Sequence, residues 1–266
     1  MSTSPVRRHR MIIPAVAFVV LLLAIGGAVL FGLRQSLHPA HTSDHTSSYR
    51  KVARLSVDTD SADVTVQRGA GSAVRVENHR EWTSEMPKVQ AAVHAGTLNI
   101  GTEPCRGMDF GIAVCRIKIV VTVPSSLPVQ LRVDSGDVTI SDLSAAVDAE
   151  ANSGSIMAVG LSGPLTLKSD SGDIDGDSLA SKDVRFAADS GDVNLRFAAA
   201  PSTVTGTADS GNVRIEVPSV AAGYRVIAHA DSGDVHVPPK GVHADSKRVI
   251  RATADSGDVT VGYGIS

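Results

Sequence analysis

The chain has 266 residues, 42% of them hydrophobic, and a formal net charge of −3. That leaves too little positive charge for a nucleic-acid groove, which needs a basic face. Aromatic residues make up 3%, with Trp82 the one tryptophan, so stacking platforms for bases or sugars are scarce.

Residues 1–10 contain Arg7, Arg8 and Arg10 and no acid, so the remainder carries −6. Residues 11–33 form an uncharged apolar run of 23, longer than the roughly 7–15 residues of a signal-peptide core. This predicts a transmembrane helix at 11–33 behind a cytoplasmic tail at 1–10, with the chain from residue 34 outside. No Ala-x-Ala site follows closely and there is no lipobox cysteine, so the segment reads as an uncleaved anchor. Ala24, Ala28 and Gly32 form a small-residue stripe compatible with helix pairing. Residues 34–50 are rich in Ser, Thr and His and show no period, which predicts a flexible linker with His38, His41 and His45 solvated.

Residues 51–124 read as an N-terminal β region. The stretch from Leu55 to Val66 is a worn copy of the repeat described next, with Ala62 where a turn glycine should stand. Alternation returns at Val74–Val76, Leu98–Ile100 and Ile117–Val123. Cys105 and Cys115 bracket a short loop on the exported side, which suggests a structural disulfide rather than a redox pair, since Cys-x-x-Cys is absent. Closing so short a loop contributes somewhat under ~3 kcal/mol in the chain-entropy account.

From residue 125 to 266 one unit is copied seven times. Asp-Ser-Gly-Asp-Val or a close variant begins at Asp134, Asn152, Asp170, Asp189, Asp209, Asp231 and Asp255, in steps of 18, 18, 19, 20, 22 and 24. Five residues ahead of each start stand Val129, Val147, Leu165, Val184, Val204, Val226 and Ile250, and alternation runs through to Val133 and its counterparts. It resumes after the turn, as at Val138 and Ile140. Each unit is therefore strand, Ser-Gly turn, strand and a second corner, with one face in a core. Gly136, Gly154, Gly172, Gly191, Gly211, Gly233 and Gly257 supply the turn, and the Asp or Asn two residues ahead of each is placed for an Asx turn. Units with a one-sided core must stack, so the expected fold is all-β: a parallel β-solenoid of about seven to eight rungs behind one transmembrane helix. A β-sandwich of hairpins is the alternative. The added residues fall opposite the Ser-Gly turn, at 218–223 and 238–243, so one edge is regular and the other varies.

Stacking also lines up carboxylates. The calcium candidates are Asp134, Asp137, Asp170, Asp173, Asp189, Asp192, Asp231, Asp234, Asp255 and Asp258, because a hard cation takes clustered oxygens. The Gly-Gly-x-Gly-x-Asp pattern of calcium-binding β-rolls is absent, and backbone donors can hold an ionised Asp, so turn chemistry with no metal and no cofactor is expected. Aspartic-protease chemistry needs two facing Asp loops sharing a proton, and seven copies on one edge are the wrong geometry. No Gly-x-Ser-x-Gly elbow is present, and no catalytic residue is assigned.

The repeat, preceded by Cys115-Arg-Ile-Lys-Ile-Val-Val-Thr-Val-Pro124, resembles the bacterial β-strand-repeat domains labelled "putative adhesins", a family of unknown function. The resemblance spans roughly Leu55 to Val261 and implies a β-solenoid behind an N-terminal membrane helix, with no catalytic residues to carry over. Asn152-Ser-Gly-Ser155 and the Ala62 turn depart from the pattern and interrupt any acidic ladder. The expected role is a membrane-anchored extracytoplasmic adhesin or envelope-organising module without catalysis, whose partner is a protein or a cell-surface carbohydrate and not a nucleic acid. The alternatives are a signalling partner for envelope stress, working through a second membrane protein, and a carbohydrate-active β-helix enzyme.

Overall fold

The computed structural model of the protein describes residues 40–103 and 114–264, and these contain no helix. The tail at 1–10 and the helix expected at 11–33 lie outside the described residues. Chain order begins with β1 (His41–Tyr49), β2 (Arg54–Ser61), β3 (Asp63–Arg68), β4 (Val74–Trp82), β5 (Lys88–His94), β6 (Thr97–Glu103) and β7 (Cys115–Val123). Strand pairs then follow the repeats: β8 (Val129–Ser135) and β9 (Val138–Ser141), β10 (Val147–Ser153) and β11 (Ile156–Val159), β12 (Leu165–Ser171) and β13 (Ile174–Leu179). The last are β14 (Asp183–Ser190) and β15 (Val193–Phe197), β16 (Thr203–Ser210) and β17 (Val213–Pro218), β18 (Arg225–Ser232) and β19 (Val235–His236), β20 (Val249–Ser256) and β21 (Val259–Gly264).

The strands form two sheets. Those before each Ser-Gly turn stack in parallel as the order β18-β20-β16-β14-β12-β10-β8-β2-β6, and those after it as β7-β3-β9-β11-β13-β15-β17-β21-β19. That is nine parallel rungs among the described residues, more than the seven or eight expected. β6 with β7 makes a rung although no Ser-Gly turn marks it. At about 4.8 Å per rung the body is roughly 40 Å long.

Register follows from the alternation. Val129, Val147, Leu165, Val184, Val204 and Ile250 align across rungs, point inward and are buried. A one-residue slip would turn the whole column to solvent, so burial fixes the register. Shape is matched as well as polarity. Phe186 lies opposite Gly206 in the next rung, where any Cβ would stand 2.4 Å from the ring. The large side chain of one rung occupies space the next leaves free.

Sequence order and spatial order part company at both ends. β20 and β21, last in the chain, insert between the β16/β17 rung and the β18/β19 rung. At the other end β2 and β3 lie inside β6 and β7, which come later in the chain. Each end is thus capped by an excursion made between two adjacent rungs of the array. The outward excursion after β3 also supplies β4, antiparallel to β7, and β5, antiparallel to β6.

Residues 41–49, expected within the flexible linker at 34–50, are ordered as β1, antiparallel to β4. The segment has almost no apolar residues, so its pairing comes from β4's edge and from a few anchors. Tyr49 Oη donates to the Ala91 carbonyl at 3.2 Å, and His41 stacks on Trp82 with ring centroids 5.8 Å apart. His45 sits opposite Asn78 within the strand, and His38 lies outside the described residues.

Candidate functional site

The Ser-Gly edge holds most of the residues that the sequence singles out. Seven turn glycines have φ between +131° and +158°. A Cβ at Gly172 would lie 2.2 Å from the Gly154 carbonyl oxygen of the neighbouring rung, and each other turn glycine meets a similar obstacle. Glycine is required here twice, for its conformation and for rung-to-rung approach. Ala62 has no positive φ, and the strands of the rung outside it are joined not by a Ser-Gly pair but by the eleven residues between Glu103 and Cys115. A methyl group fits there.

The carboxylates do not act as expected. The first-position residues, from Asp134 to Asp255, are exposed, and no Asx bond forms within a turn among the described residues. Asp134 instead accepts from Asn152 Nδ2 at 2.9 Å, and Asp231 pairs with His229 Nε2 at 2.6 Å. It is the fourth position that bonds backbone, and it does so between rungs. The amide N–H of Asp137 donates to Asp63, Ser155 to Asp137, Asp173 to Ser155 and Asp192 to Asp173, at 3.2, 2.9, 3.3 and 2.8 Å. Asn212 donates to Asp192, Asp258 to Asn212 and Asp234 to Asp258, at 2.7, 2.9 and 2.8 Å. Stacking in register puts each amide over the preceding side-chain oxygen, and Asp, Asn and Ser all supply an acceptor.

This ladder draws on four calcium candidates, Asp137, Asp173, Asp192 and Asp258, as acceptors. The others, Asp134, Asp170, Asp189, Asp231, Asp234 and Asp255, stand along the same exposed edge. Among the described residues no three His, Cys, Asp or Glu side chains come together as a metal site requires. Cys115 is disulfide-bonded, and Cys105 lies outside the described residues.

Chemistry that is not repeated sits on the solvent face of the sheet that follows the turns. One row runs Met157, Asp175, Asn194, Arg214 and a second runs Val159, Asp177 with Arg196, Glu216 in adjacent rungs. A bulge between Gly176 and Leu179, with Ser178 at φ +53°, shifts the register and opens a groove of about 270 Å³ lined by these residues. Arg196 bridges Asp177 Oδ1 and Glu216 Oε2, both at 3.1 Å, and Arg214 Nη2 donates to Glu216 Oε1 at 2.7 Å. Bonds from Arg214 and then Arg196 hold the Glu216 carboxyl below its ordinary pKa, and bonds to Glu216 and Asp177 raise Arg196. Among the described residues Asp175 has one partner, the neutral Asn194 Nδ2 at 3.3 Å, and it adjoins the half-exposed Met157. An apolar strip beside alternating donors and acceptors can hold a polar ligand and orient it. Sequence reading passed over these residues. Their signal was the outward position two after each turn aspartate, compared in register from Ile156 to Glu216.

The varied corner opposite the Ser-Gly edge holds a larger cleft of about 740 Å³, lined by residues including His243, Lys247 and Arg248. Two of its polar side chains, Arg248 and Ser246, fasten backbone, as does Tyr224 outside the lining. Arg248 Nη1 donates to the carbonyls of Ala200 and Pro201 at 3.4 and 3.2 Å, Ser246 Oγ to Gly223 at 2.8 Å, and Tyr224 Oη to Pro218 at 2.8 Å. These bonds hold the excursion that carries β18 and β19.

Two mostly parallel sheets, one tight edge and an inter-rung hydrogen-bond ladder define a two-sheet β-solenoid assembled from repeats. The family profile of Toastrack DUF4097 matches residues 52–196 and again 128–262, which together span most of the sequence. The chain belongs to the Toastrack DUF4097 family. It is also similar to solved structures, among them a "putative adhesin" of Bacteroides fragilis at 11% identity, covering 84% of this chain and 97% of that one with a TM-score of 0.46. A "putative adhesin" of Parabacteroides distasonis matches at 10% identity, 84% and 98% coverage and TM-score 0.47. A "putative lipid binding protein" of the same species matches at 11%, 85% and 97% with a TM-score of 0.30. No curated protein matches the chain.

Proposed function

We propose that the protein is a membrane-anchored, extracytoplasmic β-solenoid that works by binding rather than by catalysis, as an adhesin or envelope-organising module. Residues 11–33 anchor it with the N-terminus cytoplasmic, and a Cys105–Cys115 disulfide closes the connection between β6 and β7. The observation that carries this reading is the division of labour among polar residues. The repeated Asp, Asn and Ser side chains of the fourth position, except that of Asp234, accept in the ladder that holds rungs together. The unrepeated Asp175, Arg196, Arg214 and Glu216 lie on an open face suited to a large, solvated ligand. A rigid rod roughly 40 Å long presents that face well away from its own ends.

The test uses the full chain in detergent micelles against a panel of immobilised cell-surface polysaccharides. Retention on at least one polysaccharide, lost in an Arg196→Ala, Asp175→Ala double variant that melts like the parent, is the expected result. Binding that ignores the double variant contradicts the site. A polysaccharide that shortens with time contradicts the absence of catalysis.

A further inference from the structure

We infer that residues 224–248, which carry β18 and β19, are a guard: they cover a strand edge that would otherwise pair with the same edge of a second copy of this chain. Three observations carry this.

The array is complete without the segment. β20 and β21 bond directly to β16 and β17 in unbroken register, from Thr203↔Val249 to Ser210↔Ser256 and from Val213↔Val259 to Pro218↔Gly264. Removing residues 224–248 shortens the step from Asp209 to Asp255 from 46 to 21 residues, within the range of 18 to 24 shown by the repeats. The excised segment would leave behind a connection of ordinary length.

The guard is also the most weakly buried rung. Ile250, Ala252 and Ala254 of β20 are fully buried, whereas their counterparts Val226, Ala228 and Ala230 in β18 are only partly so. Ile227 and Val235 are 40% and 46% exposed. Both ends of the segment are fixed in the body, so it can lift away as a loop without unravelling β20. Segments with little burial open first.

Finally, the two edges differ in how readily they accept another strand. β19 is two residues long. β18 is eight residues long, and its start is obstructed: the chain folds back at 241–243, where the N–H of Tyr224, the residue before β18, donates to the Gly241 carbonyl and His243 N–H to the Tyr224 carbonyl. Short and obstructed edges are how sheets avoid pairing with their neighbours. Beneath them β21 has six residues where β19 has two, and β20 matches the eight residues of β18, straight in register. The Val249 N–H donates to Ser202 on the β16 side, so by alternation the backbone groups of Ile250, Ala252 and Ala254 face β18. Antiparallel pairing of two such edges centred on Thr253 sets Arg251 opposite Asp255 of the second copy, twice over. Those positions are the non-hydrogen-bonded ones, where facing side chains come closest and opposite charges attract.

The test removes residues 224–248 from the full chain and measures mass by light scattering in detergent beside the intact chain. The guardless chain should keep a cooperative melt and have twice the protein mass of the intact chain. Arg251→Asp or Asp255→Arg in the guardless background should each return it to the intact chain's mass. Mixing the two single variants should restore the doubled species, because the mixture rebuilds both ion pairs. In the intact chain, hydrogen exchange along β18 should be at least tenfold faster than along β16. A guardless chain that fails to fold, one whose mass matches the intact chain, charge variants without effect, or equal exchange in β18 and β16 would each overturn the inference.

Discussion

A single hydrogen atom decides the Ser-Gly edge. At Gly172 a methyl group would be driven into the Gly154 carbonyl while φ stays at +146°, so Gly172→Ala should cost at least about 2 kcal/mol in denaturant unfolding. Ala62→Gly, at a position without positive φ, should cost no more than about 1 kcal/mol, from chain entropy. At the fourth position the acceptor matters and the charge does not. Asp192→Asn should be close to neutral, whereas Asp192→Ala leaves the Asn212 N–H without its partner at 2.7 Å and should lose about 1 kcal/mol. On the open face Glu216 has a lowered pKa, so its contribution is present above the ordinary value of 4.5 and is lost as pH falls through the folded value. The melting temperature of the parent should therefore decline more steeply below about pH 4.5 than that of Glu216→Gln, measured by circular dichroism. The glycines were legible in the sequence because a turn is local. The ladder was not, since each bond joins residues from 18 to 74 positions apart and only the stacked register brings them together. Ser155 and Asn212 look like lapses in an acidic repeat, yet each supplies the oxygen that the next rung's amide needs.

Strands were readable wherever one face is apolar. The alternation from Val129 to Val133 and its copies defines β8, β10, β12, β14 and β16 directly, and their inward columns form one core with those of β2 and β6. β1 escaped notice because its half-buried residues, Ser43, Ser47 and Tyr49, hardly differ in polarity from the rest. Its order comes from β4, which could not be known to lie beside it. Periodicity likewise cannot say which rung neighbours which, so the exchange of β18 and β20 in space was invisible. The varied corner loops are the trace that exchange leaves in the sequence. Tyr224 lies at its pivot, buried, stacked on Tyr263 at 6.1 Å and bonded to the Pro218 carbonyl. Tyr224→Phe should lose roughly 1 kcal/mol, visible as faster hydrogen exchange confined to β18, β19 and their connections. Exchange that also accelerates in β12 and β14 would mean that the segment is not an independent element.

For the whole molecule, both ends of the array are closed by chain that leaves the stack and returns to it. The outermost rungs are therefore not the ends of the described sequence, and fraying of a terminus does not by itself open the core. A repeat stack gains stability from each neighbour contact, and the excursions at both ends cover the inner rungs while the unrepeated residues lie on the flank. Composition and period were enough to anticipate a β-solenoid. They gave no spatial order for its ends and no candidate binding face, because both depend on contacts between distant repeats. The most direct measurement is disulfide trapping at the Ser-Gly edge, where equivalent serines of adjacent rungs stand about 5 Å apart, within reach of a disulfide. With Ser210 and Ser256 both replaced by cysteine in the full chain, an intramolecular bond should form readily, because these residues are register partners. With Ser210 and Ser232 replaced, two rungs apart, it should not form. The opposite pattern, with 210 bonding to 232 and not to 256, would show the rungs stacked in sequence order and contradict the account.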